Sequence, residues 1–307
     1  MFADFIYHFT DRAQIVWLAL ALTIFIGWPF GDALKLDRIA RSIHKLARAL
    51  GRRLNKQKRD AATLAWRGVI VTGFIVLPAM LLGHFVDLYL PSRLMFLSPL
   101  LLFIGSQRQP GMLTLWRAAR ADKLTLQMAK PHYIFPDTHA LLRFMMLDHA
   151  TRFATGIVGV IFWYLLAGST GAFGYLALGL CAAHFSPELA KNLAFGGATD
   201  RLFAIVDAIP RTLATALLLF AGFFAPGAKP FAAARHALQW RLFLATLLGI
   251  ALGGPMPMAH GGHQLAWVGS GTPKPDASHL SRWLLIWAVA LLVIMAALLP
   301  GLIQLKQ

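Results

Sequence analysis

The sequence is poor in cysteine, in acidic residues and in charge generally. Cys181 is the only cysteine among 307 residues, which excludes an internal disulfide and a thiolate metal cluster within one chain. Hydrophobic residues make up 58% of the chain and charged residues 14%. Ordinary soluble domains have roughly 45–50% and 25%. These proportions exclude a soluble domain of average composition and predict an integral membrane protein.

Apolar runs fill much of the chain, but only some reach the roughly 20 residues that a membrane-spanning helix needs. We therefore predict an all-α, polytopic helical membrane protein with about five to seven membrane segments, the shorter ones being broken or re-entrant helices. We expect residues 1–307 to form a single helical membrane domain, because no repeat or linker divides them. The runs are Ala13–Phe30, Gly68–Leu90, Leu94–Ile104, Thr155–Phe185, Leu202–Phe224, Leu242–Leu252 and Trp283–Leu302.

One of these runs is too long for a single span. Thr155–Phe185 is interrupted by the sequence Gly168-Ser169-Thr170-Gly171. Glycine and small polar residues in such a cluster favour a turn over a continuous helix. We expect two short helices that meet at this turn.

The few acidic residues leave a large excess of positive charge. The chain has 29 Lys and Arg against 13 Asp and Glu, a net charge of +16. The excess lies in a basic amphipathic segment at 31–65 and a basic insertion at 106–152, both of which we place in the cytoplasm by the positive-inside rule. We expect the first to lie on anionic headgroups as an amphipathic helix. Because the charge adjoins the spans and no nucleic-acid motif is present, nucleic acid is not an expected partner.

Charged residues inside an apolar run are rarer, since a charge at mid-bilayer costs at least ~3 kcal/mol. The stretch FGGATDRLFAIVDAIPRTL contains Asp200, Asp207 and Arg211 at spacings of seven and four. On one continuous helix all three share a face. Two interpretations stay open: an Asp207–Arg211 ion pair that is purely structural, and a substrate or cation site. Pro210 frees a backbone carbonyl one turn back, which suits both.

A Gly- and Pro-rich loop, Leu247–Pro275, lies between two apolar segments. Irregular backbone near a bilayer is costly unless protein, water or a ligand satisfies its polar groups. Backbone N–H groups of its glycines can bind an anion, with Lys274 adding a charge, although a simple interhelical turn is the alternative. It is not a P-loop, because GKS or GKT after a strand is absent. The glycines in question are Gly253, Gly254, Gly269 and Gly271.

Histidine is frequent, with eleven residues, and invites a metal hypothesis. The closest pair, His260 and His263, has Asp276 as the only carboxylate of its loop. Metal sites usually need three or four converging ligands, so we expect these histidines to form hydrogen bonds and predict no metal. Three more histidines lack a helix-borne metal spacing and are predicted to be surface or insertion-core residues: His132, His139 and His149.

Four stretches together resemble the adenosylcobinamide-phosphate synthase (CbiB/CobD) family, polytopic membrane proteins of cobalamin biosynthesis. Phe162–Gly168 is similar to that family's FW-x-LL-x-G turn, and Leu248–Pro255 to its LGVRLGGP. Phe195–Pro210 resembles its FG…ARLDD…N-x-IPAR stretch, and Trp267–Pro275 its G-x-G-R-x-P. The resemblance covers roughly residues 145–300. It implies an ATP- and Mg²⁺-dependent ligase that joins aminopropanol or its phosphate to a corrinoid carboxylate.

The acidic motifs of that family are where this sequence departs from it. The family's EN-x-x-DG falls on Thr151–Gly156, and its Asp-Asp pair falls on Phe203-Ala204. Its Asn falls on Asp207, and its SPNAG falls on Ala234–Leu238, which contains His236. Mg²⁺ and ATP are therefore expected cofactors only if the ligase activity is retained.

A second branch of the same superfamily, the AmpE-like membrane proteins associated with β-lactamase regulation, shows a pattern like Asp200…Asp207-Ala208-Ile209-Pro210. The resemblance to the two branches leaves two hypotheses for a multi-pass protein of the bacterial inner membrane. One is an enzyme or binding partner for a corrinoid or other anionic small molecule; the other is a non-enzymatic regulator or assembly factor. The candidate ligand-binding residues are Asp200, Arg201, Asp207, Arg211, His236, Gly253, Gly254, Gly269, Gly271 and Lys274.

Overall fold

The computed structural model describes residues 2–27, 38–56, 59–89, 138–186, 192–227, 256–260, 263–268 and 274–303. These residues are almost all helical, which confirms the all-α prediction. Two segments are π-helical. Thr23–Gly27 follows the first helix, and Phe153–Val158 joins the helix that ends at Arg152 to the helix that begins at Gly159. The remaining elements are α1 (Phe2–Leu22), α2 (Arg38–Leu54), α3 (Ala61–Tyr89), α4 (Thr138–Arg152), α5 (Gly159–His184), α6 (Leu193–Val206), α7 (Ala208–Gly222), β1 (Met256–His260), β2 (His263–Val268) and α8 (Ala277–Ile303).

Several helices are long and apolar enough to cross a membrane. Ala61–Tyr89, Met145–His184 and Ser278–Pro300 meet this criterion, although the second of these is broken at Gly168. The bent pair α6–α7 is a further candidate if it forms one span. By length and composition, these are the helices of a membrane protein. Two of the predicted runs, Leu94–Ile104 and Leu242–Leu252, lie outside the described residues, so the prediction of five to seven segments stays a prediction.

The long helix α5 folds back on itself. Ala167 and Gly168 have non-helical backbone angles, and Gly168 adopts a φ of +64°, which glycine reaches without a steric penalty. A Cβ added to Gly171 would lie 2.5 Å from the Trp163 carbonyl oxygen, and one added to Gly159 would lie 2.2 Å from the Tyr175 hydroxyl. Residues before and after the break therefore lie side by side, which confirms two short helices meeting at Gly168.

Two apolar clusters hold the helices together. The larger joins α1, α4, α5, α7 and α8, and its largest fully buried side chains include Phe153, Trp283 and Trp287. The smaller joins α2, α3, α5 and α6. In it, α3 and α6 approach so closely that a Cβ on Gly68 would lie 1.8 Å from the carbonyl oxygen of Phe195. The absence of a side chain at Gly68 is what allows this backbone contact.

The basic amphipathic segment packs against the protein with its apolar face. Its helical part is α2, and that face lies on neighbouring helices. Ala47 and Gly51 are buried, and a Cβ on Gly51 would lie 3.0 Å from the ring of Phe185. Ile43, Leu50 and Leu54 pack against the smaller cluster. An apolar stripe on a helix predicts that this face is buried against something apolar, and in α2 the neighbouring helices bury it.

The Gly- and Pro-rich loop contains regular structure that the sequence did not indicate. Strands β1 and β2 pair antiparallel, from Met256 opposite Val268 to His260 opposite His263, with an irregularity at Pro257/Met258. Hydrogen bonds between strands satisfy backbone groups that an irregular loop would leave unpaired.

The predicted basic insertion ends differently from the expectation. Its last part, α4, continues through a π-helical segment into α5, so that a candidate membrane helix begins at Met145. His149 of this helix is fully buried, and its Nδ1 accepts a hydrogen bond of 3.1 Å from the Trp283 indole N–H. His139 lies with its Nδ1 2.7 Å from the Pro275 carbonyl oxygen. His132 lies outside the described residues.

Candidate functional site

The candidate site lies where α6 ends and α7 begins, around Asp207. The two helices form an angle of 55° at this residue. Pro210 has no N–H, so the Val206 carbonyl loses its usual donor four residues later and the helix bends. Asp207 has φ −87° and ψ −8°, a conformation open to any residue, so the bend needs no glycine.

Asp207 brings three side chains together in this bend. The Arg211 Nε donates a hydrogen bond of 2.8 Å to Asp207 Oδ2, and Arg211 Nη2 lies 2.6 Å from the same oxygen. The Tyr175 hydroxyl donates to Oδ1 at 2.7 Å. The Asp207 side chain is 0% exposed and that of Arg211 is 38% exposed. The Asp207–Arg211 ion pair of the first interpretation is thus present, and both oxygens of its carboxylate are engaged.

Tyr175 reaches this carboxylate because α5 folds back. Its hydroxyl passes close to Gly159 on the other half of the hairpin, where a Cβ would lie 2.2 Å from the hydroxyl oxygen. Its ring lies against Phe203 of α6, with centroids 5.6 Å apart. The hairpin and the bend therefore hold Tyr175 and Asp207 in contact.

The structure does not bring the other charged residues of this stretch into the site. Asp200 and Arg201 are exposed on α6, away from the buried Asp207. Asp200 precedes the bend on α6 and is exposed, whereas Asp207 is buried, so the two acids have different environments. That all three charged residues share one face stays a prediction. Lys274 is exposed before α8. Five further candidates lie outside the described residues: His236, Gly253, Gly254, Gly269 and Gly271.

Tyr175 is the site residue that the sequence did not reveal. It lies 32 residues before Asp207 in an otherwise apolar segment. A buried tyrosine hydroxyl usually has a hydrogen-bond partner, so a tyrosine in such a run signals one. The sequence does not say which partner, since that depends on how the hairpin packs against α6.

The positions that correspond to the synthase family's acids form no metal site. Thr151 and Thr155 donate their hydroxyls to carbonyls one turn back, Leu147 and Thr151, and so are used within the helix. Arg152 pairs with Asp148, Nε to Oδ2 at 2.8 Å. Within the described residues, no three His, Cys, Asp or Glu side chains converge on a point that could hold a metal.

The geometry defines what the site can do. A carboxylate that is fully buried, with a hydroxyl on one oxygen and a guanidinium on the other, has no free oxygen directed at a ligand. Recruiting it as a metal ligand or a base requires breaking the ion pair, which leaves a buried charge unpaired. Asp207 therefore acts by fixing the bend and by holding Arg211, whose guanidinium is the group nearer to the surface.

Comparison with known proteins identifies no relative of this chain. No protein-family model, curated protein or solved structure matches the chain.

Proposed function

We propose that this chain is a multi-pass protein of the bacterial inner membrane that has the CbiB/CobD-like scaffold without its ligase chemistry. It acts as a non-enzymatic regulator or assembly factor, as the AmpE-like branch does. The observation that carries this proposal is the state of Asp207. It is an acid within an apolar, family-like stretch, and it is fully buried and bonded on both oxygens.

Magnesium and ATP need carboxylates that are free to bind the metal, and donors that stabilise phosphoryl transfer. The residues at the corresponding positions do not fit these groups. Arg152 would repel Mg²⁺, Phe203 packs on Tyr175, and Ala204 has no ligating atom. The proposal therefore includes no step that uses ATP.

The scaffold itself supports membership of the superfamily. The turn predicted from the resemblance at Phe162–Gly168 coincides with the hairpin of α5, and the Ile209-Pro210 motif coincides with the bend at Asp207. Both breaks are held by polar contacts that do not depend on catalytic acids. A fold that is stable without the active site is what a non-enzymatic member requires.

Complementation tests the absence of ligase activity. A bacterial strain that lacks its adenosylcobinamide-phosphate synthase is transformed with this chain, and growth that depends on cobalamin is measured. We expect no growth, although the protein is present in the membrane fraction and melts cooperatively in detergent. A known synthase expressed from the same vector is the positive control. Growth supported by this chain would overturn the proposal.

Corrinoid binding separates the two remaining hypotheses. The purified protein is mixed with cobyric acid and passed through a size-exclusion column, and corrinoid absorbance is measured in the protein peak. A regulator that has lost the substrate site leaves the peak colourless. Coloured protein without complementation would favour a corrinoid-binding partner over the AmpE-like role.

A further inference from the structure

The helix α2 has two faces with different partners. Ala47 and Gly51 are buried on one face, and Gly51 lies against Phe185 at the end of α5. This face is apolar and packs against the protein, with Ile43, Leu50 and Leu54 partly buried. Among the large apolar side chains of α2, only Leu46 is described as exposed, at 44%.

The opposite face is basic. Lys45, Arg48 and Arg52 follow one another at helical spacing and are all exposed, with Arg53 beside them. Arg38–Leu54 contains no acidic residue. Among the described residues, no acidic side chain forms an ion pair with these four cations. Their charge is therefore not neutralised within the part of the protein that the structure describes.

The height of α2 relative to the membrane follows from α3. Outward-facing apolar residues run along α3 from Trp66, which is 70% exposed, to Tyr89, which is 71% exposed. At 1.5 Å per residue these two aromatic residues are about 34 Å apart along the helix, close to the ~30 Å thickness of a bilayer core. Trp and Tyr favour the membrane interfaces. We therefore place Trp66 at one interface and Tyr89 at the other.

Two contacts fix the end of α2 near Trp66. Arg67, the next residue, donates from Nη1 to the Leu54 carbonyl at 3.4 Å. Asn55 Nδ2 donates to Asn192 Oδ1, just before α6, at 2.9 Å. These contacts hold the C-terminal end of the basic face, with Arg52 and Arg53, close to the beginning of α3, where we place the headgroups.

We propose that Lys45, Arg48, Arg52 and Arg53 form a docking surface for anionic phospholipid headgroups of the same membrane, which bind by charge alone without insertion of α2. The proposal does not depend on the proposed function. Headgroups are favoured over a polyanion in solution because this face ends near Trp66, an exposed residue that we place at the membrane interface. Insertion is disfavoured because the apolar face is already covered by protein.

The experiment uses the full-length protein in nanodiscs of phosphatidylcholine with a minority of phosphatidylglycerol. The protein is extracted mildly, and the phosphatidylglycerol that remains bound is counted by native mass spectrometry. Each Lys or Arg near an anionic surface contributes about fivefold in affinity. The triple variant Lys45→Gln/Arg48→Gln/Arg52→Gln should lower phosphatidylglycerol affinity at least about tenfold. The variant Leu46→Ala on the same helix should leave it unchanged.

Salt provides a readout on the unmodified protein, so the test does not depend on how well the variant folds. Binding by charge alone should weaken several-fold between about 0.05 M and 0.5 M salt. Loss of binding in Leu46→Ala, or binding that is insensitive to salt, would overturn the proposal in favour of insertion. Equal retention of both lipids in the wild type, together with salt-sensitive capture of a single-stranded oligonucleotide, would overturn it in favour of nucleic acid.

Discussion

The protein contains two helix breaks that are built in different ways. The break in α5 reverses the chain and uses Gly168 at φ +64°. The break at Asp207 bends the chain by 55° and has no residue in the left-handed region among Asp207 and its neighbours. The first is stabilised by charges from other helices, and the second mainly by an ion pair within its own stretch.

At the α5 break, each new helix end has a partner of the appropriate charge. Arg12 Nη1 donates to the carbonyls of Leu165 and Leu166, at 3.1 and 3.0 Å, where the first half ends. Asp87 accepts from the N–H groups of Ser169 and Thr170, at 3.1 and 3.2 Å, where the second half begins. These signs match the helix dipole.

The difference shows that a chain reversal and a bend put different demands on the sequence. A reversal exposes backbone groups on both sides, and external charges can satisfy them near the surface, where each contact contributes little. A bend in a packed interior leaves one carbonyl free, and its polar side chains are buried. We therefore expect substitution of Asp207 to destabilise the protein mainly by leaving buried polar groups unpaired. Substitution of Gly168 should destabilise it mainly through backbone strain.

The largest effect is expected from Asp207→Ala. The change leaves the Arg211 guanidinium without its carboxylate and the Tyr175 hydroxyl without its acceptor, so we expect a loss of about 3 kcal/mol in unfolding free energy. Unfolding by SDS in mixed micelles measures it. Asp276→Ala, at an exposed acid, is the control and should cost much less. Equal losses for both variants would remove the buried pair from the account.

A double variant sharpens this prediction. Asp207→Ala/Arg211→Ala removes both charges, so its loss should be smaller than the sum of the two single losses by about 1–2 kcal/mol. Additive losses would mean that Asp207 acts through Tyr175 alone.

Gly168→Ala is expected to have the second-largest effect. Residue 168 has a positive φ that L-residues avoid, and the new Cβ would lie 2.7 Å from Asp87 Oδ2. We therefore expect a loss of about 2 kcal/mol in unfolding free energy. The same unfolding assay measures it. Gly197→Ala is a matched control, because a Cβ there meets nothing within 4 Å. If both variants were equally stable, the α5 break would not depend on glycine.

The two capping charges of the α5 break should each contribute less. Arg12→Ala and Asp87→Ala each remove hydrogen bonds to a helix end, which costs about 1 kcal/mol. Since the two side chains act on different backbone groups, their losses should add to within about 0.5 kcal/mol. Additivity here and coupling between Asp207 and Arg211 would distinguish the two breaks. Strong coupling between Arg12 and Asp87 would contradict this description.

The sequence reveals local features of both breaks but not their surroundings. The turn at Gly168 follows from its small residues and from a run too long for one span, and the Asp207–Arg211 pair follows from helical spacing. Tyr175 could not be assigned, because its contact depends on the hairpin packing against α6. Spacing also does not say that Asp200 is exposed while Asp207 is buried, since burial depends on which neighbouring helices cover each residue.

The sequence of the amphipathic helix α2 likewise predicts a local feature but not what surrounds it. Its period predicts one apolar face, and lipid and protein interior are both apolar enough to cover that face. Gly51 and Ala47 are small residues at which Phe185 and the neighbouring helices approach closely. Small residues on the apolar face are the signal in favour of protein packing, since a lipid-binding face gains most from large side chains.

The smallest effect is expected at the N-terminus of α8, where a helix begins without a break in a longer helix. Asp276 Oδ1 accepts hydrogen bonds from the Ser278 hydroxyl at 2.7 Å, the Ser278 N–H at 2.9 Å and the His279 N–H at 3.3 Å. The Ser278 hydrogen bonds and then His279 hold the pKa of this carboxyl well below its usual value. Asp276→Ala should therefore cost about 1 kcal/mol or less at neutral pH, as loss of a helix cap does.

The stabilisation by the Asp276 cap should depend on pH. Because the folded pKa of Asp276 is lowered, its stabilisation is complete above the unfolded pKa of about 4 and is lost as the pH falls toward the folded pKa. Wild type and Asp276→Ala should differ most near pH 7 and converge progressively below about pH 5. Melting temperatures of both proteins across this range provide the measurement, in which the titration of groups that do not contact Asp276 cancels. A difference that widened toward acid would mean that Asp276 is stabilised in its protonated form, and that α8 begins without an anionic cap.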